Sequence, residues 1–295
     1  MKYFIGILLF TAGFITGCEK SISFTPDNAS PLLVVEATIE NGEAPVVILT
    51  TSLNYFSTIT PEILTGSFVR NADVTISNGL KSHRLKEYEV NAGNGLFVYY
   101  YSTDSSNLAT SFVGEFSTDY SLKIVADNKT YQAQTRIPQL AKKIDSLWWV
   151  NAPNKEDSNK AVVMVRTIDP PGLGNYIRYF TQVDREGFFP GLNSVFDDQI
   201  VDGTTYSIQV DRGVNRNEEF DFDEYAFFDK GDTVTFKLAN IGKATYDFWR
   251  TMEYSYSSIG NPFSSPTKVL GNISGDALGY FGGYAADYKT IVIPK

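Results

Sequence analysis

The 295 residues are 43% hydrophobic and 20% charged, enough apolar surface for a folded body and more chain than a single sandwich needs, so two domains of ordinary size are expected. A net charge of -9 excludes a phosphate-neutralising nucleic-acid binder and electrostatic docking on anionic lipid. One His and one Cys leave little for a transition-metal site or a nucleophile–base triad, while 18 Tyr and 21 Phe against 3 Met favour strands over helices.

Residues 1–17 read as a signal segment: Lys2 is a positive start, Tyr3 to Phe14 an apolar run too short to span a bilayer, and Ile15-Thr16-Gly17 a small-residue cleavage site before Cys18. Ile15-Thr16-Gly17-Cys18 resembles the lipobox of bacterial lipoproteins, in which the chain is cut before the cysteine and its sulfur takes a diacylglycerol. That resemblance makes Cys18 the lipidation site; the alternative is an ordinary signal peptide with a chance cysteine. Losing Lys2 leaves the mature chain one unit more negative, so the acyl anchor alone would hold it at a membrane. Residues 18–30 are polar and read as a tether. Within it, Glu19-Lys20 resembles the charged surface-export signal of Bacteroidota lipoproteins without its usual run of acidic residues.

From Pro31 strand signals come at short intervals. Leu32 to Glu40 and Val46 to Thr51 are two runs; Ala72, Val74 and Ile76 alternate with polar residues before the Asn78-Gly79 turn, and Leu85 to Val90 is the expected return. Phe97 to Ser102 follows Gly93-Asn94-Gly95. Tyr120 to Ala126 and Tyr131 to Ile137, separated by Asp127-Asn128, carry the cleanest period-two pattern. Residues 31–138 therefore predict a β-sandwich of immunoglobulin-like or transthyretin-like type, ended by Pro138.

Residues 139–143 read as a linker, and 144–295 as a second β-rich domain. Leu147, Trp148 and Trp149 open it; Ala161 to Ile168 reads as a central strand buried on both faces, and Asp169-Pro170-Pro171-Gly172 as a turn. Tyr176 to Val183, Tyr206 to Val210, Val234 to Leu238 and Tyr288 to Ile293 are further strands. One aromatic helix over about 241–257, with Asn240 as N-cap, carries Ile241, Ala244, Phe248 and Met252 at helical spacing and Trp249 and Tyr256 beside them. It is expected to seal an open end or edge of a sandwich, with a partner-binding helix as the alternative. The fold class is thus mainly β, two β-sandwich domains, the second with one helix.

The C-terminal segments Asn261 to Pro266, Gly271 to Gly275 and Gly279 to Gly282, with the lipobox and the Tyr120 to Pro138 hairpin, resemble an uncharacterised family of Bacteroidota lipoproteins catalogued as a domain of unknown function. The resemblance spans the mature chain. It implies a gene beside that of a TonB-dependent outer-membrane receptor, and hence an outer-membrane, surface-displayed component of an uptake or assembly system. It carries no catalytic residue over.

Physically, the prolines force extended or turned backbone, and the glycines permit positive φ or close approach by another chain. Asn261, Pro262, Phe263, Tyr280 and Tyr284 are the candidate partner-binding residues; the alternative packs Phe263 and Phe281 on Trp148, Trp149 and Trp249. His83 lacks a local acid or nucleophile. Asp221 and Asp223, in an acidic run from Glu218 to Asp229, are the calcium candidates, but no glycine follows at the sharp-turn position of an EF-hand loop. No catalytic residue, metal site or cofactor is assigned. The expected function is a non-enzymatic lipoprotein partner of a TonB-dependent receptor or other barrel protein; the alternatives are a cell-surface hydrolase and an adhesin or structural lipoprotein.

Overall fold

The computed structural model describes residues 30–295 except 55–56, 154–158, 260, 262–263 and 266. In chain order the elements are β1 (Leu33–Glu40), β2 (Val46–Thr51), α1 (Pro61–Ser67), β3 (Asp73–Ser77), β4 (Ser82–Arg84), β5 (Lys86–Gly93), β6 (Leu96–Ser102), β7 (Thr118–Ala126), β8 (Lys129–Ile137), β9 (Lys143–Asn151), β10 (Lys160–Ile168), β11 (Tyr176–Val183), β12 (Phe189–Phe196), β13 (Thr205–Val210), β14 (Phe228–Asp229), β15 (Thr233–Ile241), α2 (Lys243–Ser257) and β16 (Ala277–Val292). The chain is mainly β, as its alternating runs require. None of the described helices is long and apolar enough to cross a membrane.

One sheet of eight strands runs in the order β12-β11-β15-β16-β1-β2-β6-β5. A second is ordered β4-β3-β7-β8, and a third is built on β10, which pairs with β9, β13 and β14. The organising element is β16, 16 residues long, roughly 50 Å at the rise of a strand. Its first half pairs in parallel with β1, from Leu33–Ala277 to Glu40–Tyr284, and its second half antiparallel with β15, from Ile241–Tyr284 to Thr233–Val292. One strand therefore stitches the N-terminal and C-terminal strand groups together.

Side-chain alternation sorts β16 into two faces. Phe281 and Ala285 enter a core with Val35, Ala37, Ile39, Leu122 and Ile124, closed by the β3-β4-β7-β8 sheet. Further along the same face, Ile291 and Ile293 join a core with Val163, Val165, Tyr179 and Phe236, closed by the β10-centred sheet. On the opposite face Tyr280, Tyr284 and Ala286 pack with Tyr246 and Phe248 of α2. Glycine is required where β8 crosses: a Cβ on Gly283 would sit 2.4 Å from the Arg136 carbonyl oxygen. The close approach expected of these glycines is thus made by the chain itself.

This arrangement corrects the expected division into two sandwiches joined by a linker at 139–143. Pro31–Lys295 forms one compact unit, and the largest sheet takes strands from both sides of that boundary. Lys142 is fully buried there; its backbone exchanges hydrogen bonds of 2.8 Å with the Asn240 side chain, and its Nζ lies 2.6 Å from Asp169 Oδ1. Local patterns reveal hairpins, but the β1–β16 pairing joins opposite ends of the chain and leaves no local trace.

Other differences have equally local causes. Asn240 belongs to β15 and is spent on Lys142, so Gly242 is the N-cap of α2 and supplies no side-chain bond. The buried side of α2 is Thr245, Tyr246, Phe248 and Glu253, with Ala244 exposed, and it packs on β16, β11 and β12, the last being the edge strand of the large sheet. The return strand after β3 divides: β4 stays beside β3, Leu85 turns into the core, and β5 crosses to pair with β6. Ala161 to Val163 of β10 are buried on both faces, but Met164 to Ile168 alternate. The unexpected α1 starts on Thr60, whose Oγ1 accepts from Ile63 N–H at 3.3 Å, with Pro61 in its first turn.

Candidate functional site

Strand alternation places Glu36 and Glu40 of β1, Tyr280 and Tyr284 of β16, Lys237 of β15, and Arg178 and Phe180 of β11 on the face opposite the two smaller sheets. Helix α2 covers part of this face. Beside it opens a cleft of about 580 Å³, whose far wall includes Phe188, Phe189 and Asn215 to Asn217.

Arg178 is its fixed centre, buried at 4% exposure. The guanidinium carbon lies 3.4 Å from the Trp249 ring centroid and 4.8 Å from that of Phe180, so rings cover the guanidinium. Its Nε donates to Ser194 Oγ at 3.1 Å and its Nη1 reaches Tyr284 Oη at 3.5 Å. That phenol accepts from Trp249 Nε1 at 3.1 Å and meets Tyr280 Oη at 3.2 Å. Behind Arg178, Ser194 donates through N–H and Oγ to the Glu253 carboxylate, the hydroxyl contact being 2.5 Å. Burial pushes the Glu253 carboxyl above its ordinary range, opposed by the Ser194 bonds and by the charges of Arg178 and Arg216. Ser194 is wholly buried, so its hydroxyl meets no substrate.

Further along, Lys237 pairs with Glu40, whose other carboxylate oxygen takes the Tyr288 phenol. The Lys237 ammonium lies 5.0, 5.7 and 5.6 Å from the ring centroids of Phe180, Phe188 and Tyr288. Glu36 differs: it is reached by solvent, yet protein atoms crowd it from the cleft walls. Desolvation raises its carboxyl pKa against the opposing charge of Arg178. Glu36, Trp249 and Tyr280 also wall a second cavity of about 530 Å³, lined by Phe248, Met252, Val269 and Leu278. A polar cleft and an apolar cavity thus meet at one carboxylate.

The residues that stand out in the sequence fall unevenly on this geometry. Tyr280 and Tyr284, expected to display their rings, are 3% and 4% exposed and bound into the Arg178 network. Large rings on a central strand gain more from packing under a helix than from display. Phe281 is buried, but in the N-terminal core, away from the tryptophans. Asn261 is exposed; Pro262, Phe263 and Cys18 lie outside the described residues. Asp221 accepts from Asp223 N–H at 2.8 Å in an exposed turn.

A different carboxylate group, Asp169, Asp198 and Asp202, comes together where two loops meet. Its oxygens are taken by Gly203, Gly174, Asn175 and Gly172 N–H groups, and Lys142 supplies the cation. Burial alone would raise Asp198, but its bonds from Asn175 and Gly174 hold it below the usual range. This is a loop clasp. His83 is another: Nε2 accepts from Asp104 N–H at 3.0 Å and Nδ1 meets Thr110 Oγ1 at 2.9 Å.

Glu36 and Arg178 escape sequence reading because each occupies the polar position of an alternating strand and looks like an ordinary solvent-facing residue. The one signal is Arg178 between Tyr176, Tyr179 and Phe180 in an otherwise apolar-aromatic run. A comparison with the curated proteins finds no match. The family model for a domain of unknown function, DUF4249, matches residues 19–290, and the chain belongs to that family.

Proposed function

We propose that this chain is a non-enzymatic surface lipoprotein of the outer membrane, held by acyl chains on Cys18, that works as the soluble partner of a TonB-dependent receptor or other barrel protein. The observation that carries the binding role is the cleft, in which the cationic and aromatic groups are already locked against one another. Such a surface is rigid before a ligand arrives and loses little freedom on binding. A hydrolase would need groups poised around an opening. The serine–carboxylate pair of this face is sealed from solvent, and the Glu40 carboxylate is taken by Lys237 and Tyr288.

The mooring follows from the lipobox-like Ile15 to Cys18 and from a net charge of -9, which gives the body no electrostatic hold on anionic lipid. Two acyl chains suffice for stable anchoring, and confinement beside a barrel raises the effective concentration of each partner for the other. The test is extraction of the tagged chain from its native membrane in mild detergent, with Cys18→Ala alongside. The expected result is a fatty-acylated chain recovered with a barrel protein, and a variant released from the membrane. Recovery of the unmodified chain free of acyl groups and of any barrel would overturn the reading.

A further inference from the structure

The cleft's wall carries three cations, Arg178, Arg216 and Lys237, against two carboxylates, Glu36 and Glu40. Lys237 and Glu40 neutralise each other. The two arginines are held along β12: Arg178 by Ser194, Arg216 by its Nη2 donating to the Leu192 carbonyl at 2.9 Å. Residues two apart on a strand are about 7 Å apart, so both guanidiniums address one neighbourhood. Arg216 is also stacked, its guanidinium carbon 4.9 Å from the Tyr256 ring centroid. Its Nε is buried with no acceptor among the described residues. A buried donor without an acceptor is costly, and an oxygen brought to it as the Arg216 side chain shifts would relieve that cost.

The same geometry disfavours a neutral sugar. Sugars stack on open ring faces, but the Trp249, Phe180 and Tyr256 rings already carry guanidinium groups. What the cleft still offers is guanidinium edges, the shape that receives a carboxylate through paired N–H bonds. Past Glu36, the second cavity is lined by Phe248, Met252, Val269 and Leu278 and offers apolar volume without a cation other than Lys268.

We propose that this face binds a ligand carrying a carboxylate beside an aromatic or branched apolar group, with the carboxylate on the edges of Arg178 and Arg216 and the apolar group in the cavity beyond Glu36. The inference rests on the binding role proposed above and names the chemistry of its ligand. A free aromatic acid and the C-terminal residue of a peptide both present this chemistry. Glu36 stands between the two subsites as a repelling charge, so neutralising it strengthens binding of an anion and weakens binding of a cation.

The experiment is calorimetric titration of the lipidated chain in detergent micelles with N-acetyl-phenylalanine, its neutral amide, and acetyl-Gly-Gly-Phe. Arg178→Gln removes the partner of a buried network and risks the fold, so the variants are Arg216→Gln and Glu36→Gln. The acid is expected to bind at least about tenfold tighter than the amide, with that preference lost in Arg216→Gln and enlarged in Glu36→Gln. Equal or tighter binding of the tripeptide supports a peptide terminus as the source, and weaker binding supports a free acid. Equal binding of acid and amide, no binding of either up to about 10 mM, or weaker binding by Glu36→Gln would overturn the proposal. So would tighter binding of a neutral oligosaccharide that Arg216→Gln leaves unchanged. Co-purification with a barrel is scored separately: a chain that keeps the barrel but ignores these acids loses the ligand and retains the partner.

Discussion

The two faces of β16 are built from the same strand and do opposite work. On one, Phe281, Ala285, Ile291 and Ile293 fill two apolar cores under two separate sheets. On the other, Tyr280 and Tyr284 hold an arginine in place beside an open cleft. The first face removes apolar area from water and carries stability. The second invests buried polar bonds in fixing the position of Arg178, a cost that folding alone does not require. The difference teaches that the length of β16 secures the body from one side and leaves the other to hold a polar network beside an open cleft.

The comparison is broken most severely on the closed face. Phe281 has no exposed surface, and Phe281→Ala leaves a cavity under the N-terminal sheet. The expected loss is about 4 kcal/mol of unfolding free energy by urea titration. A loss below about 1 kcal/mol would mean that the two layers are not packed as one core.

Next comes the joint between the strand groups. Lys142 and Asp169 are both wholly buried and ion-paired, so Lys142→Met strands a carboxylate and costs about 3 kcal/mol. The double variant Lys142→Met, Asp169→Leu recovers much of that, because no uncompensated charge remains. A single variant as stable as the parent would return residues 139–143 to the status of a linker.

A smaller effect sits in the loop clasp of the covering sheet. Burial lowers the His83 pKa from its ordinary 6.5, against a partial upward pull from the Asp104 carboxylate. The folded chain therefore refuses a proton that the unfolded chain accepts. The contribution of His83 is fully present above the unfolded pKa and is lost as pH falls through about 6.5 and below. The carboxyls of Glu36, crowded on the cleft wall, and of Glu253, buried under α2, are both held high and act in the opposite sense, since folding favours their protonated forms. The measurement is the difference in stability between the parent and His83→Gln across this range. It should narrow as pH falls; a constant difference would contradict the assignment.

The smallest expected effect belongs to the open face. Arg216 makes one hydrogen bond to a carbonyl and one ring contact, so Arg216→Gln should change stability by no more than about 0.5 kcal/mol in thermal unfolding. A loss as large as that of Phe281→Ala would make the cleft part of the structural core and erase the distinction between the faces.

Most strands are legible in the sequence because their faces differ: Val46 to Thr51 and Tyr176 to Val183 coincide with β2 and β11. What alternation cannot carry is partnership. The parallel β1–β16 pairing depends on backbone groups that every residue possesses. β12 is hidden because Pro190, Gly191 and Asn193 read as loop chemistry, although Pro190 sits at its irregular pairing with Phe180. The Gly279 to Tyr284 segment lies within β16, where Gly283 answers to the close crossing of β8 and Gly279 to that of β1. Tyr280 and Tyr284 stand out for their flat rings; they line the cleft as buried supports of Arg178 and not as an exposed surface. Arg178 and Glu36 take their meaning from neighbours on other strands, which no local window contains.

The division of labour between the faces is tested most directly by hydrogen exchange on the full chain, with and without N-acetyl-phenylalanine or the proposed barrel partner. Partner or ligand engagement should slow exchange in α2 and at residues 213–217, and leave β3, β4, β7 and β8 unchanged. Protection confined to those four strands, with the cleft exchanging as before, would contradict the assignment of binding to the open face.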